Sequence, residues 1–175
     1  RGETFVPRKI TRCLANIALG IESCLYMGNI NSKRDWGDAR EFVRMQWLML
    51  QQDEPDDFII ATGKQHSIRE FITWAGEELG ITLSFQGEGD QEVGIASSIS
   101  GDLAPAVKPG DIVVRIDARY YRPVEVNSLL GNAAKAERKL GWRHLKTARE
   151  ICSDMVAEDY LLSRKNLLLS SHNNE

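Results

Sequence analysis

Residues 58–80, "FIIATGKQHSIREFITWAGEELG", decide the fold class. The first six form a continuous apolar run closed by a glycine, the pattern of a strand buried on both faces of a parallel sheet. Ser67 and Glu70 then stand three apart, the spacing at which each side chain bonds the other's backbone N–H at a helix start. Ile68, Phe71, Ile72, Ala75 and Leu79 recur at helical spacing until Gly80 closes the helix. A strand followed at once by a capped amphipathic helix marks an α/β chain.

The same alternation extends outward. Ile10, Cys13, Leu14, Ile17, Ala18 and Ile21 fall on one helical stripe, and "CLYMGN" after them reads as a short strand. Asp38 can cap a helix over residues 38–52 with Phe42, Met45, Met49 and Leu50 on its inner face. On the other side, "TLSFQG" is a further strand. Residues 87–110 turn rich in Gly, Ser, Asp and Pro around the modest strand "VGIASSIS" and read as a local insertion, with "KPGD" a tight turn. "IVVRID" is a strand and "ARYYRPVEV" a turn-rich stretch. Asn132 caps a short helix ended by Gly141, and Thr147 with Glu150 forms a second capping box ahead of Ile151, Cys152, Met155 and Val156. No internal repeat is visible.

With 175 residues, 42% hydrophobic and 27% charged, the chain folds as one or two compact units, its polar end "SSHNNE" apart. A net charge of −3 supplies no field for nucleic acid or an anionic membrane, so neither is expected as a partner. An anionic ligand must be met by individually placed basic residues. Three cysteines, odd in number and widely spaced, read as free thiols of a reducing, cytoplasmic compartment. No apolar run approaches the ~20 residues that cross a bilayer, and no secretory signal is visible in a chain that opens at Arg1.

Metal chemistry finds no support, because His66, His144 and His172 share no ligand spacing with one another or with the cysteines. There is no Gly-x-Ser-x-Gly elbow, no Gly-x-Gly-x-x-Gly and no P-loop. What remain are three clusters with a basic residue in or beside a turn: "RGETFVPRK", "SKRDWG" and "YYRPVEV". Singly, each also reads as plain structure. Pro7 starts a helix with Lys9 solvated, Arg34 pairs with Asp35 on the surface, and Arg122 pairs with Glu125.

Together they are more specific. "RGETFVPRKI", "LYMGNINSKRDWGDAREFVRMQW" and "YYRPVEVNSLLGNAAKAERKLGW" resemble, in this order, the C-terminal half of the GDP-mannose 4,6-dehydratases, a family of extended short-chain dehydrogenase/reductases. The "VKPGD" stretch resembles the longer bacterial version. The resemblance implies an α/β fold: the C-terminal part of a doubly wound Rossmann-type domain, its last strands and helices, plus a small α/β substrate-binding lobe. Residues 1–175 would form the substrate-binding portion, with the NADP-binding catalytic half outside the chain.

Residue by residue, the resemblance places Arg1 on the cofactor NADP, Val6 and Lys9 at the guanine base of GDP-mannose, Arg34 and Arg122 at its diphosphate, and Glu125 on the nucleotide. Two guanidinium groups suit that task, since their paired donors match phosphate oxygens as an ammonium does not. On this reading Trp36 anchors the loop that carries Arg34, Gly37 permits a sharp entry to the helix, and Asp35 orients Arg34 or the loop backbone. Pro7, Asp38 and Phe42 stand where the family usually has Thr, His and Tyr, and Pro7 removes an N–H beside the base.

The family's catalytic groups, a Thr or Ser, a Glu and a Tyr-x-x-x-Lys, have no counterpart: Tyr160 is followed four residues on by Arg164. No catalytic residue and no metal ligand is therefore expected in this chain, which alone would be inactive. The resemblance implies an NADP-dependent lyase converting GDP-D-mannose to GDP-4-keto-6-deoxy-D-mannose, as a homodimer or homotetramer. Another nucleotide-sugar epimerase or reductase of the superfamily, and a non-catalytic nucleotide-sugar-binding domain, stay open beside it.

Overall fold

The computed structural model describes residues 2, 4–121, 126 and 128–172. In chain order its elements are α1 (Val6–Ala18), β1 (Leu25–Met27), β2 (Lys33–Arg34), α2 (Ala39–Leu50), β3 (His66–Ser67), α3 (Ile68–Glu78), β4 (Ile81–Gln86), β5 (Val93–Ile99), β6 (Ile112–Ile116), α4 (Ala134–Leu140) and α5 (Ala148–His172). A sheet in the order β1-β6-β5-β4 carries the main core. In it β1 runs parallel to β6, with Leu25 opposite Val114, and the other pairs are antiparallel. Helices α1, α3 and α5 pack together beside it, closing on the fully buried Ile10, Leu14, Leu25, Phe71, Ile72 and Val114.

Most start signals behave as read. Pro7 sits in the first turn of α1, where its missing N–H costs nothing. Asp38 accepts from the Arg40 N–H at 2.7 Å, and both halves of the Ser67–Glu70 capping box are made. Thr147 and Glu150 bond each other's N–H groups at 2.8 and 3.2 Å. Asn132 stands one residue ahead of the N-cap position, which Ala133 takes, and accepts from the Ala134 N–H at 3.0 Å, while Gly141 ends α4 at a φ of 63°. In the "KPGD" turn Gly110 takes a φ of 96° and the Asp111 N–H donates to the Lys108 carbonyl at 3.1 Å.

Three expectations are corrected. Residues 58–63 form no strand: no ladder flanks them among the described residues, and Ile59 faces outward, 57% exposed. The run is apolar because Phe58 and Ile60 rest on a second, smaller core made by Met45 of α2, Ala136 of α4 and Trp142. Leu50 is not on the inner face of α2 but 81% exposed at its end, and Ile21 lies past the end of α1, also exposed. Residues 87–110 include the expected strand, which is β5 and lies between β6 and β4 in the main sheet. Gly94 is needed there because a Cβ would lie 2.9 Å from the Val114 side chain.

No helix of the described residues is long and apolar enough to cross a membrane, and no group of His, Cys, Asp and Glu among them could hold a metal ion. Cys13, Cys24 and Cys152 are free. Burial pushes the Cys152 thiol up to about 12 and the Cys13 thiol upward as well, so both stay protonated and unreactive.

Candidate functional site

Where the start of α1, the turn after β1, the strand β2 and a short 3₁₀ turn (Ala118–Tyr120) meet, they enclose a cleft of about 770 Å³. Val6, Lys9 and Arg34, all singled out in the sequence, line it. Its charged lining among the described residues is Lys9, Arg12, Arg34 and Arg119, of which Arg119 pairs with Asp117 at 2.6 Å and Arg12 reaches Glu22 at 3.8 Å. In a chain of net charge −3 that sign reversal is local and built by position.

Arg34 is held at the end of β2, which pairs with β3 through Arg34 opposite His66. Its Nη1 donates to the Lys33 carbonyl at 2.8 Å and to the Val126 carbonyl at 2.6 Å, tying two distant segments. Lys9 lies one turn into α1 and sets its ammonium 3.5 Å from the centre of the Tyr120 ring. Burial lowers its pKa from the ordinary lysine value, against the opposing fields of Cys13 and Asp117. Arg1, Arg122 and Glu125 lie outside the described residues.

The loop around Arg34 is built differently from expectation in one respect. Trp36 is buried and stacks obliquely on Phe71 of α3, ring centres 4.9 Å apart, which anchors the loop as read. Gly37 keeps an ordinary φ, and what it permits is contact: a Cβ there would fall 2.3 Å from the Phe42 ring. The Asp35 carboxylate turns to the backbone, accepting from the Thr62 N–H at 3.0 Å, the Thr62 hydroxyl at 2.6 Å and the Gly63 N–H at 2.9 Å. These bonds hold the extended segment that lacks a ladder.

A second cleft, of about 720 Å³, opens between the loop at Asp38 and α5. Asp38, Asp154, Glu158 and Asp159 face it beside Arg8, Arg40 and Lys146. Here the cations are consumed internally: Arg40 bonds Asp38 at 2.8 Å and reaches Asp154 at 3.5 Å, where Lys146 also pairs. The Arg40 guanidinium holds the Asp38 carboxyl down to about 2. Four carboxylates make this cleft unsuited to a diphosphate.

Sequence reasoning missed Tyr120, Gly28 and Thr62. Tyr120 meets Lys9 and Thr62 meets Asp35 only through the fold. Gly28 is required because a Cβ would lie 2.4 Å from the Tyr120 carbonyl oxygen. A glycine after a strand signals a turn in general and gives no hint of that partner.

The chain matches known proteins in sequence and in fold. Residues 1–155 match the family model described as GDP-mannose 4,6 dehydratase. The GDP-mannose 4,6-dehydratase of Vibrio cholerae is 58% identical over all 175 residues, which cover 47% of that protein. That of Homo sapiens is 42% identical over 95% of the chain and 42% of its own length. The chain thus spans about half the length of the curated relatives it matches. Among solved structures, RMD from Pseudomonas aeruginosa complexed with NADPH superposes with a TM-score of 0.65 at 17% identity, over 91% of this chain and 43% of that one. A UDP-glucose 4-epimerase from Thermotoga maritima, determined with UDP-glucose, gives 0.60 at 20%, over 95% and 41%. These two share the α/β, Rossmann-type fold with it, and the family match with the full-length agreement in sequence goes further: the chain belongs to the GDP-mannose 4,6-dehydratase family.

Proposed function

We propose that this chain supplies the nucleotide-sugar-binding part of an NADP-dependent lyase that converts GDP-D-mannose to GDP-4-keto-6-deoxy-D-mannose. The observation that carries the reading is the cleft lined by Val6, Lys9 and Arg34, whose charged lining among the described residues is basic and in which the Lys9 ammonium contacts a ring and no described carboxylate. The diphosphate of a nucleotide sugar brings two negative charges beside its base, and such a lining offsets the first while Lys9 offers donors to the second. Arg34, and with it Arg122 and Glu125, would hold the diphosphate and nucleotide, and Val6 would flank the guanine.

The described residues contain no glycine-rich loop that would cradle a dinucleotide, so apart from Arg1 the cofactor would be held by a part of the enzyme beyond these residues. NADP, when bound, supplies hydride acceptance and return. This chain's contribution is to bind and orient the sugar nucleotide against it. The complete enzyme would be a cytoplasmic homodimer or homotetramer.

The test is to incubate the full-length gene product with GDP-mannose and NADP and follow formation of a 4-keto sugar. Formation from GDP-mannose but not from UDP-glucose is expected. Turnover of UDP-glucose in preference would instead mark an epimerase or reductase of the superfamily, and absence of any product would mark a binding domain without catalysis.

A further inference from the structure

Among the described residues, Lys9 is a cation without an oxygen partner. No carboxylate or carbonyl among the described residues accepts from its ammonium, whose contact is the face of Tyr120 at 3.5 Å. Asp117, the carboxylate whose field it feels, is engaged elsewhere, accepting from Arg119 at 2.6 and 3.0 Å. Tyr120 is firmly placed. Its N–H donates to the Asp117 carbonyl at 3.0 Å, the Asp117 N–H donates to the Met27 carbonyl at 2.8 Å, and Gly28 lets the backbone of β1 press against the Tyr120 carbonyl.

We propose that Tyr120 is a positioning residue for Lys9: its π face offsets the ammonium's charge while leaving the N–H donors available to the cleft. A carboxylate in that place would occupy those donors, whereas a ring engages the charge alone. An ammonium presented in this way recognises an edge made of acceptors, such as the keto oxygen and adjoining ring nitrogen of guanine, and discriminates against adenine, which shows an amino donor at that position. The inference rests on the reading of this cleft as the nucleotide-sugar site.

The experiment is a double-mutant cycle on the full-length gene product, titrating GDP, ADP and UDP by calorimetry into the wild type, Lys9→Met, Tyr120→Leu, Tyr120→Phe and the double variant Lys9→Met/Tyr120→Leu. Tyr120→Leu is expected to weaken GDP by about 3- to 10-fold, the size of a partly desolvated cation–π contact. Tyr120→Phe, which keeps the ring, should retain most of the affinity. The double variant should bind no more weakly than Lys9→Met alone, because Tyr120 acts through Lys9. Tyr120 is half-exposed and its backbone bonds do not involve the ring, so the variants should fold, with unchanged NADP affinity as the check. Tyr120→Gln repeats the cycle independently. Additive losses, or a Phe variant as weak as the Leu variant, would overturn the proposal while leaving the nucleotide site standing. A wild type that binds UDP as well as GDP would remove the guanine reading, and the cycle would then be scored with UDP; binding of no nucleotide would remove both.

Discussion

Arg34 is the residue on which the binding reading presses hardest, because its guanidinium is already fastened to the carbonyls of Lys33 and Val126 at the edge of the cleft. Little side-chain freedom remains to be lost when a ligand arrives. A charge-assisted contact contributes about 1.5–3 kcal/mol, so Arg34→Ala in the full-length protein should raise the GDP-mannose dissociation constant about 10- to 100-fold, measured by calorimetry. Arg34→Lys should recover only part of this, since a point charge cannot bond two oxygens in one plane. Asp38 makes a prediction about acid. Its carboxyl is held at about 2 by the hydrogen bond from Arg40, below the ordinary carboxylate range. The stabilisation is therefore complete above about pH 4 and lost as pH falls toward about 2. Allowing for the solvent around the exposed Arg40, it is about 1 kcal/mol. Urea titrations should show wild type and Asp38→Asn differing by that amount at pH 7 and converging near pH 2.

At the scale of elements, most of what neighbouring residues specify is legible in the sequence, Leu50 and Ile21 excepted, whereas the run at residues 58–63 depends on distant partners and is not. The caps at Asp38, Ser67 and Thr147 and the stripe of α1 are local physics, each specified within a few residues. The apolar run at residues 58–63 could not be judged locally, because a strand exists only through its neighbours. Here Asp35 takes the place of a ladder, and that pairing spans nearly thirty residues of chain with no sequence signature. Asp35→Ala should therefore speed amide exchange at Thr62 and Gly63 by at least about tenfold, while exchange in α3 stays as it was. The α1–α5 contact was equally invisible. Asp159 is buried and accepts from the Thr11 hydroxyl at 2.6 Å, with Arg8 at 3.4 Å. Thr11→Val keeps the shape but removes that donor, and should lower stability to urea by about 1–3 kcal/mol.

At the scale of the whole molecule, α2 presents Val43, Trp47 and Leu50, spaced as one helical stripe, to solvent, and Ile59 is exposed as well. Stable proteins seldom leave such a face bare. On the proposed reading it is covered in the complete enzyme by the part that brings the cofactor, so exchange across residues 58–62 should be much slower in the full-length protein than in the 175-residue chain. Equal rates would count against that reading. The central claim, that the cleft with the basic lining is the nucleotide-sugar site, is tested most directly by a structure of the full-length protein crystallised with GDP-mannose. The account predicts the guanine against Val6 and Lys9 and the diphosphate on Arg34. A sugar nucleotide seated instead in the cleft of Asp38, Arg40 and Lys146, or one bound without touching Arg34, would contradict it.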